Sequence, residues 1–161
     1  MKRYACAVLP FVTGCLVNQV MAFGIGAERN SDWYETPAIR KPRAEITTAV
    51  RDLVVRQGYE IQEFDAESGR IASAWDTHLS PIWREGWRSM IDVEVVSADA
   101  GGFIVRIRSS MEINDNSYSP AMADRAVWVA AGVSDRMKPR ISEPAMKLHA
   151  TVKLRFFGLN Q

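Results

Sequence analysis

The segment from Trp87 to Ile113 constrains the fold more than any other. Apolar side chains fall on its odd positions: Trp87, Ile91, Val93 and Val95, then Phe103, Val105, Ile107, Met111 and Ile113. Arg88, Asp92 and Glu94 occupy even positions of the first arm, and Arg106, Arg108 and Glu112 those of the second. A period of two belongs to a strand with one buried and one polar face, because successive side chains point to opposite sides. The interruption Ser97-Ala98-Asp99-Ala100-Gly101-Gly102 marks a reversal between the arms. Setting Val95 opposite Val105 brings Val93 to Ile107 on one face. On the other face it pairs Glu94 with Arg106, Asp92 with Arg108 and Arg88 with Glu112. A slip of one residue would carry the charges into the core, so this register satisfies both faces at once. The charge pairs are expected on a solvated face, where removing one charge costs no more than about 1 kcal/mol.

The segments before the hairpin supply its cover and its neighbours. Between Arg43 and Gln57 the apolar period changes to that of a helix, with Ile46, Ala49, Val50, Leu53 and Val54 on one stripe and Gly58 at the C-cap. Tyr59 to Asp65 reads as a strand in which Phe64 breaks the parity of Tyr59 and Ile61. Ala66-Glu67-Ser68-Gly69 turns the chain, Arg70 to Trp75 returns it, and Thr77 to Ile82 is read as a loop. After the hairpin comes a polar loop around Asp115 to Pro120, followed by a short pairing segment, Val127-Trp128-Val129. The final segment supports two patterns. Met146, Leu148, Ala150, Val152, Leu154 and Phe156 alternate as in a strand, while Ala145, Leu148, Val152, Phe156 and Leu159 form a helical stripe. Ser142 as N-cap, Glu143 beside it, Lys153 and Arg155 near the end and Gly158 beyond favour the helix over residues 143–157. The predicted fold class is α+β: a helix, a four-stranded antiparallel meander and a C-terminal helix, with the helices on one face.

The N-terminus carries an address. Met1-Lys2-Arg3 precedes an apolar run through Val12, a secretory signal too short to span a bilayer as a helix. Val12-Thr13-Gly14-Cys15 then resembles the bacterial lipobox, in which a Cys after small residues is acylated and becomes the mature N-terminus. Residues 1–14 are thus read as signal peptide, 15–43 as lipidated N-terminus and flexible tether, and 44–161 as one domain. Two other readings stand beside this one: cleavage after Val20-Met21-Ala22, giving a secreted periplasmic protein, and an uncleaved anchor through Leu16 to Ile25. Leu16, in place of an Asp after the Cys, resembles the sorting rule for outer-membrane lipoproteins and implies the periplasmic face of that membrane. Removal of Cys6 with the signal and acylation of Cys15 would leave no free thiol in an oxidising compartment.

Asp65-x-x-x-Gly69-x-Ile71-x-Ser73-x-Trp75 after Gly58-Tyr59, with Trp128-x-x-x-Gly132-x-x-Asp135 before the last helix, resembles small bacterial envelope lipoproteins. The named relative is the lipoprotein C subunit of the β-barrel assembly machinery, whose repeated domains have a helix-grip architecture. The resemblance spans residues 44–158 and rests on a turn and a core Trp. It implies a scaffold or accessory subunit with an envelope protein as partner, although the second copy of that domain has no counterpart here.

Chemistry-bearing motifs are sparse. His78 and His149 are the two histidines, and neither has metal-ligand spacing to another His, Cys or carboxylate. There is no Gly-x-Ser-x-Gly elbow, and Asp99-Ala100-Gly101-Gly102 is a hairpin turn with no helix after it to hold phosphate. Asp92 and Glu94 share a face as an acid–base pair would, yet their facing arginines make a salt ladder the better account. No enzyme, cofactor or metal is expected, and a net charge of +1 advertises no nucleic-acid partner. Two surfaces remain as candidates for a ligand or partner. One is an aromatic platform of Trp75, Trp83 and Trp87, although the parity of Trp83 and Trp87 with Ile91 assigns both to core or core rim. The other is the arginine set Arg84, Arg88, Arg106 and Arg108. The expected role is therefore a membrane-anchored, non-enzymatic scaffold, with a ligand-binding module using a Trp-lined cleft between helix and sheet as the alternative.

Overall fold

The computed structural model describes residues 32–132 and 138–158. The signal segment, Cys15 and the alternative cleavage site after Ala22 lie outside the described residues, as do Asp135 and Leu159. The elements run in the order β1 (Tyr34–Glu35), α1 (Arg43–Arg56), β2 (Ile61–Asp65), β3 (Arg70–Ser73), β4 (Asp76–His78), β5 (Trp87–Ser97), β6 (Phe103–Asn114), β7 (Trp128–Ala130) and α2 (Lys138–Phe157). The class is α+β, with two α-helices and an antiparallel sheet among the described residues.

The hairpin of β5 and β6 has the register the alternation dictates. Val95 faces Val105, Val93 faces Ile107, Glu94 faces Arg106, Asp92 faces Arg108 and Arg88 faces Glu112. Among the described residues the sheet has seven strands, not the four of the meander, because β5 and β6 outreach their neighbours. One flank of β5 carries both β3 and β4, and one flank of β6 carries both β1 and β7. Where β3 ends, the Ser73 hydroxyl accepts the Ile91 N–H at 2.9 Å, and the chain re-joins β5 as β4. Thr77 and His78, read as loop, therefore lie in a strand. Thr36 plays the same part beyond β1: its hydroxyl accepts the Val105 N–H at 3.1 Å. Ile39 then pairs with Phe103 through N–H···O bonds of 2.7 and 3.0 Å. The C-terminal part of the expected tether is thus built into the sheet edge. Trp33, Tyr34 and Ile39 find partners there.

Parity irregularities have local causes. A bulge between Ile61 and Glu63 in β2 restores the register against β3, so Phe64 pairs with Ile71. In the following turn, Asp65 Oδ1 accepts the N–H groups of Glu67 and Ser68 at 2.9 and 3.1 Å. These bonds hold the exposed Asp65 carboxyl below the usual carboxylate range. Gly69 completes the turn at φ +80°, and a Cβ there would stand 2.5 Å from the Val95 carbonyl oxygen. Only glycine fits that position.

Both helices lie on the odd-numbered face. Ile46, Val50 and Val54 of α1 and Ala145, Leu148 and Val152 of α2 pack against Ile71, Ile91, Val93, Val95, Val105 and Ile107. The helix reading of the C-terminal segment holds, but α2 begins at Lys138, so Ser142 lies inside it instead of capping it. Gly158 follows its end at φ 73°.

The even-numbered face differs from the expected solvated ladder. The Asp92 and Arg108 side chains are only 11% and 13% exposed, paired at 3.2 Å, and Glu112 is 5% exposed beside Arg88. Tryptophan rings lie over the guanidinium groups: Trp33 over Arg106 and Arg108, and Trp75 and Trp128 over Arg88. Trp75, the core Trp of the resemblance, is thus on the outer face and not in the helix-covered core.

Candidate functional site

On the helix-covered face the apolar series of odd positions is interrupted twice, at Ser89 and Ser109. The core divides at the same level. The large cluster around Ile91 and Ile107 stops there, and a smaller one of Met111, Ile113, Ala131 and Ile141 begins, with Trp87 and Val129 packed against it. Ser109 is buried and its hydroxyl donates to the Ile141 carbonyl, which pins the first turns of α2 to β6. At Ser89 no apolar side chain fills the corresponding space. A cleft of about 770 Å³ opens there between α2 and the sheet.

Its floor comes from the sheet and its mouth from α2. Tyr59, Trp87, Ser89 and Met111 supply the floor, with Asp76 and Gln57 at one side. Arg140, Glu143, Pro144, Lys147, Ala150 and Thr151 line the helix side at helical spacing, a stripe of polar and small residues flanking the buried stripe of Ile141, Ala145, Leu148 and Val152. Pro144 has no N–H to give the Arg140 carbonyl, so the helix lacks one of its internal bonds beside the cleft. The Tyr59 hydroxyl lies 3.0 Å from Ser89 Oγ. Burial pushes that phenol above its ordinary pKa, and the Ser89 hydrogen bond offsets part of the rise. At the mouth, Lys147 Nζ meets Glu143 Oε1 at 2.6 Å. That hydrogen bond and charge hold Glu143 below, and Lys147 above, their usual values. His78 stacks on Trp87 with ring centroids 4.0 Å apart, and its Nε2 is 3.0 Å from Asp76 Oδ2. Chemically the cleft offers an aromatic and thioether floor, neutral hydroxyl and amide groups, and a rim of both charge signs.

No family model matches this chain, and no curated protein matches it.

The three tryptophans of the sequence platform are not brought together. Trp87 lines the cleft, Trp75 is on the opposite face of the sheet, and Trp83 is 53% exposed in the loop between β4 and β5. The parity that placed Trp83 in the core does not apply, because the strand begins only at Trp87. Arg88 is held between Trp75 and Trp128 and ion-paired with Glu112 at 2.5 Å, so its charge is used within the fold. Arg84 pairs with Asp115 at 3.2 Å. His149 is partly exposed and lies 3.0 Å from the Glu35 carbonyl oxygen, latching α2 to β1. Among the described residues no group of three or more His, Cys, Asp or Glu side chains is placed to hold a metal ion. Tyr59, Ser89, Arg140 and Lys147 were not singled out from the sequence. The signal that marks them is the pair of serines interrupting an otherwise apolar face.

Proposed function

We propose that this protein is a non-enzymatic binding module of a bacterial cell envelope, held to a membrane through an acylated Cys15. Its occupant is a small amphipathic molecule or a short peptide segment, taken into the cleft between α2 and the sheet. The cleft carries this reading: its volume of about 770 Å³ lies within the range of small-molecule sites, and it joins an apolar floor to a few polar groups. The accessory-subunit role suggested by the family resemblance fits the same site if the peptide belongs to a partner protein. Strand addition to β2 is a poorer route, since that edge is short, bulged and carries Glu63 and Asp65.

The charged groups Glu143 and Lys147 at the mouth are paired with each other at 2.6 Å. The direct test is titration of the full chain with anilinonaphthalene sulfonate, an amphipathic aromatic anion that matches the floor and the Arg140–Lys147 rim. Saturable binding is expected, and Ala150→Trp, which sets an indole in the mouth, should weaken it at least about tenfold, or roughly 1.4 kcal/mol. Unaltered dye affinity in a normally folded Ala150→Trp protein would remove the cleft from consideration.

A further inference from the structure

Two loops at one end of the sheet present large apolar side chains to solvent. Among the described residues, ten large hydrophobic side chains are exposed, and six of them lie between Leu79 and Trp83 or between Tyr118 and Val127. Ile82 is 57% exposed, Trp83 53% and Tyr118 97%, with Leu79, Met122 and Val127 beside them in sequence. The concentration matters, because scattered single apolar residues need no explanation and clustered ones do.

These side chains are presented by built loops. Ile82 N–H donates to Ser80 Oγ at 3.1 Å, and Glu85 N–H to the Ile82 carbonyl at 3.2 Å. Asn114, fully buried, donates from Nδ2 to the Pro120 carbonyl at 2.8 Å and accepts the Val127 N–H at Oδ1 at 3.0 Å. Asn116 Oδ1 accepts the N–H of Tyr118 at 2.9 Å. The two loops are joined to each other by the Arg84–Asp115 pair at 3.2 Å and by Asn114 N–H on the Gly86 carbonyl at 2.8 Å. Arg84 adopts the left-handed backbone, φ 62°, which few side chains other than Asn, Asp and His occupy without strain.

The path of the chain says what this end faces. β1 pairs antiparallel with β6, with Glu35 opposite Arg106 and Tyr34 opposite Ile107. Asp32 and Trp33, the described residues before Tyr34, therefore lie on the Asn114 side of β1, with Arg108 over the Trp33 ring. That is the end where β5 begins opposite Ile113 and where the loop after Asn114 leaves the sheet. The described chain thus begins on the side of the apolar loops. Residues 16–31 separate Cys15 from the described chain, a distance of at most roughly 60 Å even if fully extended.

We propose that the apolar tip formed by these two loops rests in the interface of the same bilayer that holds the N-terminal lipid. The proposal rests on the lipid-anchor reading above. Tryptophan and tyrosine favour the headgroup level, where an amphipathic ring meets both media, and Leu, Ile, Met and Val supply the apolar contact below it. Tethering to the bilayer makes a weak contact sufficient, since the tip meets the surface at high effective concentration. The ionisable groups of the two loops are Arg84, Glu85, Asp115, Asp124 and Arg125, a set with no excess of positive charge. Attachment is consequently apolar and insensitive to salt, unlike that of a basic patch.

The test uses the full chain, recovered from bacterial membranes and reconstituted into vesicles of phosphatidylethanolamine and phosphatidylglycerol with or without bromine-substituted acyl chains. Mass spectrometry reports acylation at Cys15, and sedimentation reports association. The expected result is a bromine-dependent loss of tryptophan emission that persists in high salt and largely disappears in Trp83→Phe. A matching melting temperature for that variant separates lost contact from lost fold. If the acylated chain sediments but Trp83→Phe is quenched as strongly as the wild type, the tip does not touch lipid and a protein partner becomes its better occupant. An unacylated chain that stays in the supernatant would overturn the anchor reading and this proposal with it.

Discussion

The two faces of the sheet are held by different physics. The odd-numbered face is an ordinary apolar core: Ile91, Val93, Val105 and Ile107 are at most 1% exposed beneath α1 and α2. Among the described residues no helix covers the even-numbered face, yet Asp92, Ser110, Glu112 and Asn114 are nearly as inaccessible. Tryptophan rings take the place of a helix there, stacked on the arginines of the salt ladder. Guanidinium groups tolerate this, being planar, weakly hydrated and able to bond a carboxylate in plane while an aromatic ring covers the face. The comparison shows that a polar strand face need not be a wet one.

Substitutions can break or sharpen the contrast. Val93→Asp should have the largest effect, placing an unpaired carboxylate in the helix-covered core and abolishing the cooperative thermal transition. Asp92→Ala should come next. With the pair mostly screened from water, leaving Arg108 without this carboxylate should cost about 2–3 kcal/mol, read as a shift of the urea midpoint. A cost near or below about 0.5 kcal/mol would return the even face to the class of solvated ladders. Trp83→Ala should be smallest, within about 0.5 kcal/mol of wild type, because more than half of that side chain is already in solvent. A loss of several kcal/mol there would instead restore the core assignment made from parity.

Much of the architecture was legible because period two and period 3.6 survive wherever one face of an element is buried. The hairpin register, α1 and the helical C-terminus are of this kind. Two of the extra strands were not legible, since β1 and β4 have two and three residues, too few to show any period, whereas β7 was anticipated as the pairing segment Val127-Trp128-Val129. The burial of the charge ladder escaped for another reason. Its cover comes from Trp33, Trp75 and Trp128, which are distant in sequence from Arg88 and Arg108. Stacking between such residues leaves no local pattern. The cleft was half legible. Trp87 and a space between helix and sheet were anticipated, but the grouping with Trp75 and Trp83 followed sequence proximity, and the sheet separates them. Ser89 and Ser109 stood in the alternation all along as gaps in an apolar series, where the core parts and the floor of the cleft begins.

The account stands on that gap being a binding site and not a packing defect. Native mass spectrometry of the full chain, extracted in mild detergent from the membranes in which it was made, tests this most directly. We predict a bound species released at low collision energy from the wild type and missing from a folded Ala150→Trp variant. A wild-type chain that flies without any bound species, or an adduct retained unchanged in Ala150→Trp, would contradict it.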